Sequence, residues 1–282
     1  MSTPFKTVAF HTMGCKLNYS ESSMLQNQLN EHGYQTVNFK DGADYFIINS
    51  CSVTNNADKE CRKLIRRAKR ISPRSKIAVI GCYAQLKPEE IIKIDGVNLV
   101  LGTDDKFNLL EKLEAIQSND DPMIFRNEIT SVNQFNPSWS LGERTRSFLK
   151  IQDGCDYNCS FCTIPMARGK SRNQSIERTL ITAREAASSP VRELVLTGVN
   201  IGDFGKSSDE SFMDLIRQLD MLDDIDRIRI SSIEPNLLSD DIIEFVTQSK
   251  KFMPHFHIPL QSGSDSLLKN MRRRYTVDLY RK

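Results

Sequence analysis

No stretch of this sequence reaches the roughly 18–20 consecutive apolar residues needed to span a bilayer, so no membrane-embedded role is expected. Residues 1–10 lack the charged start, apolar centre and small-residue cleavage site of a secretory signal, and they read straight into a strand. Solenoid repeats and low-complexity tracts are missing too, which excludes a repeat array. An excess of one charge is lacking: 38 basic against 36 acidic side chains leave a net +2, so the chain as a whole is no polycation. The four histidines, His11, His32, His255 and His257, have no metal spacing among them. Asp203-Phe204-Gly205 matches a kinase tripeptide, but no Gly-rich loop or His-Arg-Asp motif accompanies it, so it reads as a turn. The expectation is a soluble protein of the reducing cytoplasm.

What is present is more specific. A length of 282 residues gives two domains as the default and enough core to need no disulfide. In a reducing compartment the seven cysteines then argue for metal or catalysis. Basic residues are unevenly spread: residues 59–76 carry nine, with a single acid. Lys269, Arg272, Arg273, Arg274, Arg281 and Lys282 add a second concentration.

Apolar runs at residues 7–13, 34–39, 44–49, 76–80 and 97–101 read as strands. They alternate with helical stretches at 21–31, 57–71, from Pro88 onward and at 106–117. That alternation implies βαβ units and an α/β fold with a flavodoxin-like parallel sheet. Residues 119–143 lose periodicity and read as a linker, with a short strand at 123–126. A second series follows, with strands at 148–152, 193–197, 227–232 and 255–259. Helices are expected after them at 176–187, 211–222, 240–249 and 264–271, with Ser175 capping the first. This is the pattern of part of a (β/α) barrel. The expected domains are 1–118, the linker 119–143, and 144–282.

Cys155, Cys159 and Cys162 form the run Cys-x3-Cys-x2-Cys in a loop leaving the first strand of the second series. Three thiolates this close can wrap one iron–sulfur cube and leave one iron open; no fourth cysteine follows. Structural zinc wants four ligands, and no histidine completes such a set. The bland alternative is a chance grouping of buried thiols. Cys15, Cys51 and Cys82 look scattered, yet each follows a strand of the first series. In a parallel sheet the carboxyl ends share one edge. With strand order 2-1-3-4-5, the three strands are neighbours and the thiols converge, aided by Gly14 and Gly81 and by helix N-termini that favour an anionic cluster. The alternative is three small core cysteines. Cys61 reads as an ordinary half-buried helix thiol without a role.

The spacing of Cys155, Cys159 and Cys162, with Phe161 before the last, resembles the radical S-adenosylmethionine (SAM) signature. Two such clusters in this order resemble the methylthiotransferases of that superfamily over essentially the whole chain. The stretches that carry the likeness are Thr12-Met-Gly-Cys15-Lys-Leu-Asn18, Asn49-Ser-Cys51-Ser-Val-Thr54, Gly81-Cys82-Tyr-Ala-Gln85, Gln152-Asp-Gly-Cys155, Leu196-Thr-Gly-Val-Asn200, Ser231-Ser-Ile-Glu-Pro235 and His257-Ile-Pro-Leu-Gln-Ser-Gly263. With Arg168-Gly-Lys-Ser-Arg172, they look most like the branch acting on threonylcarbamoyladenosine in tRNA.

The resemblance implies two [4Fe–4S] clusters and SAM. The cluster at Cys155, Cys159 and Cys162 would cleave SAM to a 5′-deoxyadenosyl radical. The cluster at Cys15, Cys51 and Cys82 would carry the sulfur delivered, as methylthio, to C2 of the modified adenine beside the anticodon. It further implies tRNA, through its anticodon stem-loop, and an electron donor such as flavodoxin or ferredoxin as partners. Phe161, Gly198, Asn200, Ser232, Glu234 and Gln261 would line the SAM pocket at the barrel face, with Glu234 or Gln261 on ribose hydroxyls. Helix cap or turn roles are the alternative for each. Arg62, Lys63, Arg66, Arg67 and Arg70 recur at helical spacing and would meet tRNA phosphates; a merely solvated face is the alternative. Rival functions are action on isopentenyladenosine in tRNA, action on a ribosomal-protein aspartate, and a non-catalytic electron-transfer module. The family's barrel is fuller and is followed by a small β-barrel, so the resemblance also implies a fragment of a longer protein.

Overall fold

The computed structural model describes residues 5–52, 54–117, 119, 121–141 and 145–282. The chain divides into two compact units. The first is Met1–Val132 with Met166–Arg168; the second is Asn133–Pro165 with Gly169–Lys282. The expected ends of the first domain and of the linker, residues 118 and 143, lie outside the described residues.

The first unit is a parallel sheet of β1 (Lys6–Thr12), β2 (Tyr34–Thr36), β3 (Tyr45–Ser50), β4 (Lys76–Gly81), β5 (Val97–Leu101) and β6 (Met123–Phe125). Their order is β2-β1-β3-β4-β5-β6. This is the expected 2-1-3-4-5 order with one strand added from the stretch read as a linker. Parallel neighbours need crossovers. These are α1 (Lys16–Glu31), α2 (Asn55–Ile71), the short α3 (Cys82–Leu86) and α4 (Pro88–Ile91), and α5 (Leu109–Ala115). Strand β3 is buried throughout, as a strand covered on both faces must be. Its side chains alternate between two cores. Phe46 and Ile48 pack with Leu64, Ile65 and Ala68 of α2. Tyr45 and Ile47 pack with Leu25 and Leu29 of α1 and Leu109 and Leu113 of α5. Thr54 caps α2 by accepting the Ala57 N–H at 3.2 Å.

The second unit holds a parallel sheet of β7 (Arg146–Lys150), β8 (Glu193–Thr197) and β9 (Arg227–Ile230). Helices α6 (Ile164–Arg168), α7 (Ile176–Ala187), α8 (Phe212–Asp220), α9 (Asp240–Gln248), α10 (Asp265–Asn270) and α11 (Val277–Arg281) complete the chain. The last three residues of α6 belong to the first unit. Ser175 accepts the Arg178 N–H, which starts α7 where the sequence placed it. One core joins Leu149, Leu194, Leu196, Ile228 and Ile230 of the strands to Leu180, Ala183, Leu215, Ile216, Leu219 and Val246 of the helices.

The strand expected at residues 255–259 is corrected. That segment makes only one isolated parallel bridge, Ser232 to His257, and a second, Ile228 to Phe252, precedes it. Pro254 and Pro259 bracket it, and proline has no N–H to extend a ladder. Of the tripeptide 203–205 read as a turn, Asp203 ends the short 3-10 helix Ile201–Asp203, and Phe204 and Gly205 form a turn. Gly205 has φ +80, and a Cβ there would lie 2.1 Å from the Glu210 carbonyl oxygen.

Candidate iron–sulfur centres

In the first unit, the register sets the cysteines. Thr12 lies opposite Asn49 and Ser50 opposite Gly81, so β1, β3 and β4 end level. Cys15 then caps α1, Cys51 follows β3, and Cys82 opens α3. Gly14, at φ +87, brings its backbone so close that a Cβ would sit 2.8 Å from both Cβ and Sγ of Cys51. Gly81, at φ +95, would meet the Asn49 Oδ1 at 2.5 Å. Only glycine fits either position. Burial pushes the Cys82 thiol above its ordinary range; the nearby Arg168 and Lys106 charges oppose this, and the Cys15 thiol adds to it. None of the three is in a disulfide; Cys15 is exposed, and Cys51 and Cys82 are buried.

Behind these cysteines lies a polar network that sequence reading did not single out. The Glu21 carboxylate, wholly buried, accepts from Lys106 Nζ at 2.5 Å and from Arg168 at 3.1 and 3.2 Å. Arg168 also donates to Asn18 Oδ1 at 2.6 Å. Asn18 Nδ2 in turn holds the carbonyls of Met13 and Ser50, the residues that lead into Cys15 and Cys51. The Arg168 and Lys106 charges beside Cys82 favour an anionic group there. The i, i+3 spacing of Cys15, Asn18 and Glu21 puts them along one side of α1 and was a readable signal. Arg168 entered the sequence reading only as the first residue of the stretch 168–172, with no role attached to it.

In the second unit, Gln152 organises the loop that carries the other cysteines. Its Oε1 accepts the N–H groups of Val199 and Asn200, each at 2.9 Å. Its Nε2 donates to the carbonyls of Asp153 and Gly154 and to Ser171 Oγ. Asp153 is pinned by buried Lys150 at 2.9 Å and by Arg172 at 3.1 Å. Gly154, at φ +71, passes so near Lys170 that a Cβ would lie 1.9 Å from its carbonyl oxygen. The chain then turns through Cys155, Cys159 and Cys162. The Tyr157 N–H points at Cys155 Sγ at 3.4 Å, and the Cys162 N–H donates to the Cys159 carbonyl at 3.1 Å. Burial first, with Asp203 and the two neighbouring thiols behind it, pushes Cys155 up to about 11. Cys162 is raised by burial as well. Iron reverses that logic, because a coordinating thiol is deprotonated outright.

Among the described residues no three His, Cys, Asp or Glu close around a single ion. A cube does not ask for this, since each thiolate takes its own iron. Soft thiolates are the donors such a cluster takes, and each cysteine trio fits that donor chemistry.

The other expected SAM-pocket residues are variously engaged. Phe161 is 52% exposed beside Cys162. Gly198 is a glycine because a Cβ would meet Gln152 at 2.8 Å. Asn200 is buried, donates to Asp203 Oδ2 at 3.1 Å and accepts the Glu234 N–H at 3.4 Å. Ser232 bridges to His257, and its carbonyl accepts the Ile201 N–H. Glu234 is ion-paired with Arg273. Gln261 is exposed, with φ 60. Tyr157, whose hydroxyl accepts from Asn236 Nδ2 at 2.8 Å, and Arg273, which donates to Cys159 Sγ at 3.2 Å, are the residues sequence reading missed. Burial lowers the Arg273 pKa, but the Glu234 bond and charge outweigh it and raise it further.

On α2, Lys63, Arg66, Arg67 and Arg70 are exposed. Arg62 is diverted from that face: it donates to Tyr83 Oη at 2.8 Å and pairs with Glu90 at 2.5 Å. Cys61 is corrected from half-buried to fully buried, and burial pushes its thiol up to about 12 despite the adjacent Arg62. No helix among the described residues is long and apolar enough to cross a membrane.

Comparison with known proteins follows the same division. Residues 7–102 match the uncharacterized protein family UPF0004, and residues 149–282 match the radical SAM superfamily. The chain is 40% identical over 280 residues to the threonylcarbamoyladenosine tRNA methylthiotransferase MtaB of Bacillus subtilis (strain 168), covering 97% of this chain and 62% of the relative. It is 36% identical to MtaB of Aquifex aeolicus (strain VF5), covering 97% and 67%. The tRNA-2-methylthio-N(6)-dimethylallyladenosine synthase of Ruegeria sp. (strain TM1040) is 32% identical, covering 99% and 65%. The chain thus spans about three fifths to two thirds of these relatives' length. Among solved structures, the radical SAM methyltransferase TsrM from Kitasatospora setae superposes with a TM-score of 0.66 at 13% identity, covering 98% of this chain and 64% of that one. At that identity the likeness is one of fold. The radical SAM family uses SAM and a [4Fe–4S] cluster, and identities of 36–40% along 97% of the sequence decide the membership: this chain belongs to the radical SAM methylthiotransferase family.

Proposed function

We propose that this chain carries the clusters of a tRNA methylthiotransferase that adds a methylthio group to C2 of N6-threonylcarbamoyladenosine beside the anticodon. The observation that carries the reading is the pair of three-cysteine sets, none of them in a disulfide and each leaving the carboxyl end of a parallel sheet. Cys155, Cys159 and Cys162 hold the [4Fe–4S] cluster that binds SAM; Cys15, Cys51 and Cys82 hold a second. When bound, the clusters supply the electron that cleaves SAM and the site that carries the sulfur.

The protein's part is placement. Gln152 and Asp153 fix the entry to the cysteine loop, and Gly154 lets it turn. Glu234, Asn200, Ser232 and Gly198 line the SAM side, with Gln261 nearby. Phe161, exposed beside Cys162, would line the same pocket. Lys63, Arg66, Arg67 and Arg70 meet tRNA phosphates. A flavodoxin or ferredoxin donates electrons, and the work is cytoplasmic. The threonylcarbamoyl branch is favoured because relatives of that name reach 40% identity, against 32% for the dimethylallyladenosine synthase.

Anaerobic reconstitution tests the clusters. About eight irons and eight sulfides per chain support two cubes, and about four remove the second. 5′-Deoxyadenosine formed under dithionite excludes a passive electron-transfer module. In cells lacking the gene, nucleoside mass spectrometry of tRNA should show the methylthio mark lost from threonylcarbamoyladenosine. A mark kept there and lost from isopentenyladenosine sinks the substrate assignment.

A further inference from the structure

The basic run after α10 lies against the cysteine loop. Arg272 sits at φ 59, a left-handed conformation uncommon outside glycine, and this turns the chain back toward the loop. The Met271 carbonyl accepts the Ser160 N–H at 3.2 Å. Arg274 lies 4.0 Å from the centre of the Tyr157 ring and donates to the Asp156 carbonyl at 3.3 Å. Between them Arg273 points inward, its side chain 5% exposed. One terminal nitrogen donates to Cys159 Sγ at 3.2 Å and the other to the Glu234 carboxylate. Its Nε–H is buried with no protein partner. A purely structural tie would not keep a charged, incompletely satisfied group here, since burying it costs stability that packing an apolar side chain would not.

We infer that Arg273 is a positioning residue for the cluster at Cys155, Cys159 and Cys162, holding the Cys159 sulfur by an N–H···S bond and making the cluster easier to reduce. The inference rests on the proposed cluster at these cysteines. Cluster potentials respond to net charge, to hydrogen bonds on the sulfurs and to solvent exposure, and Arg273 acts through all three. Glu234 is bonded through the other terminal nitrogen, and its opposing charge offsets part of the effect. The step affected is the uptake of one electron from a low-potential carrier, or from dithionite in vitro; no bond forms or breaks in it.

The test is a redox titration followed by electron paramagnetic resonance. It uses the full chain with Cys15, Cys51 and Cys82 changed to Ala, so that a single cluster is read. Arg273→Met should lower the midpoint potential by about 59 mV, a tenfold change in the one-electron equilibrium. Arg273→Lys, which keeps the charge, should recover part of it. Glu234→Gln should move the midpoint upward. An unmoved midpoint in Arg273→Met at parental iron content overturns the inference. Should Arg273→Met not hold iron, Glu234→Gln decides, and a midpoint unmoved or lowered overturns it equally. A parent that binds no iron defeats the cluster assignment and this inference together; a loaded parent with unresponsive variants defeats the inference alone.

Discussion

Single residues in this chain differ most in what burial does to them. Cys61 lies on α2 between Glu60 and Arg62, where a nearby cation suggests a lowered thiol pKa. The residue is instead wholly buried among Leu64, Ile65 and Ala68, and desolvation of the thiolate outweighs the cation, with Asp58 adding to the rise. The folded thiol therefore holds its proton more tightly than the unfolded one. Its contribution to stability is complete below pH 9, the ordinary thiol value, and is lost as pH rises from 9 to about 12. Cys61→Ala should cost about 1 kcal/mol at neutral pH and should flatten the alkaline fall in stability. Urea unfolding of both proteins across that window reads the difference. Parallel curves would show that Cys61 does not titrate with folding. Cys82 is also buried, but the Arg168 and Lys106 charges beside it favour its thiolate. Burial nevertheless raises both thiols; one neighbouring cation opposes the rise at Cys61 and two do so at Cys82.

At the scale of elements, α2 combines two jobs on two faces. Cys61, Leu64, Ile65 and Ala68 fasten it to the sheet, while Lys63, Arg66, Arg67 and Arg70 face solvent. Arg62 belongs to neither face: tied to Tyr83 and Glu90, it secures α2 to α3 and α4. Substituting the exposed cations should leave the core untouched and change only the field outside. Arg66→Glu with Arg67→Glu should weaken tRNA binding and flatten its salt dependence by roughly 0.7–0.9 in log–log slope for each phosphate no longer neutralised. SAM cleavage should persist. Affinity unchanged at physiological salt would assign this face to solvation alone. Element α1 is used differently. Its buried Glu21 is held by two cations, and removal of a partner from such a buried pair costs on the order of 3–5 kcal/mol. Its polar residues are therefore structural at the very place where Cys15 begins the helix.

For the whole chain, strand order and both cysteine sets were legible because they follow from local pattern plus one topological rule. Apolar runs marked β1, β3, β4 and β5, and the 2-1-3-4-5 order brought Cys15, Cys51 and Cys82 to one edge. What escaped was set by tertiary pairing of residues distant in sequence. Arg168 reaches Glu21 from 147 positions away, and Arg273 reaches Cys159 from 114. No window of sequence contains both partners. The strand expected at 255–259 failed for a local reason, its bracketing prolines. The two units each possess their own core, one of Leu149, Leu194 and Leu215, the others of Phe46, Leu64, Leu25 and Leu113. Each cysteine set hangs from strands of its own unit, so iron binding at one should not require iron at the other. Changing Cys155, Cys159 and Cys162 together to Ala should then halve the iron content and leave the first unit's cluster spectroscopically intact. The matching change of Cys15, Cys51 and Cys82 should preserve 5′-deoxyadenosine formation while abolishing methylthio transfer. Loss of all iron in either triple variant would mean that the sites assemble as one, and that the cores do not supply independent scaffolds.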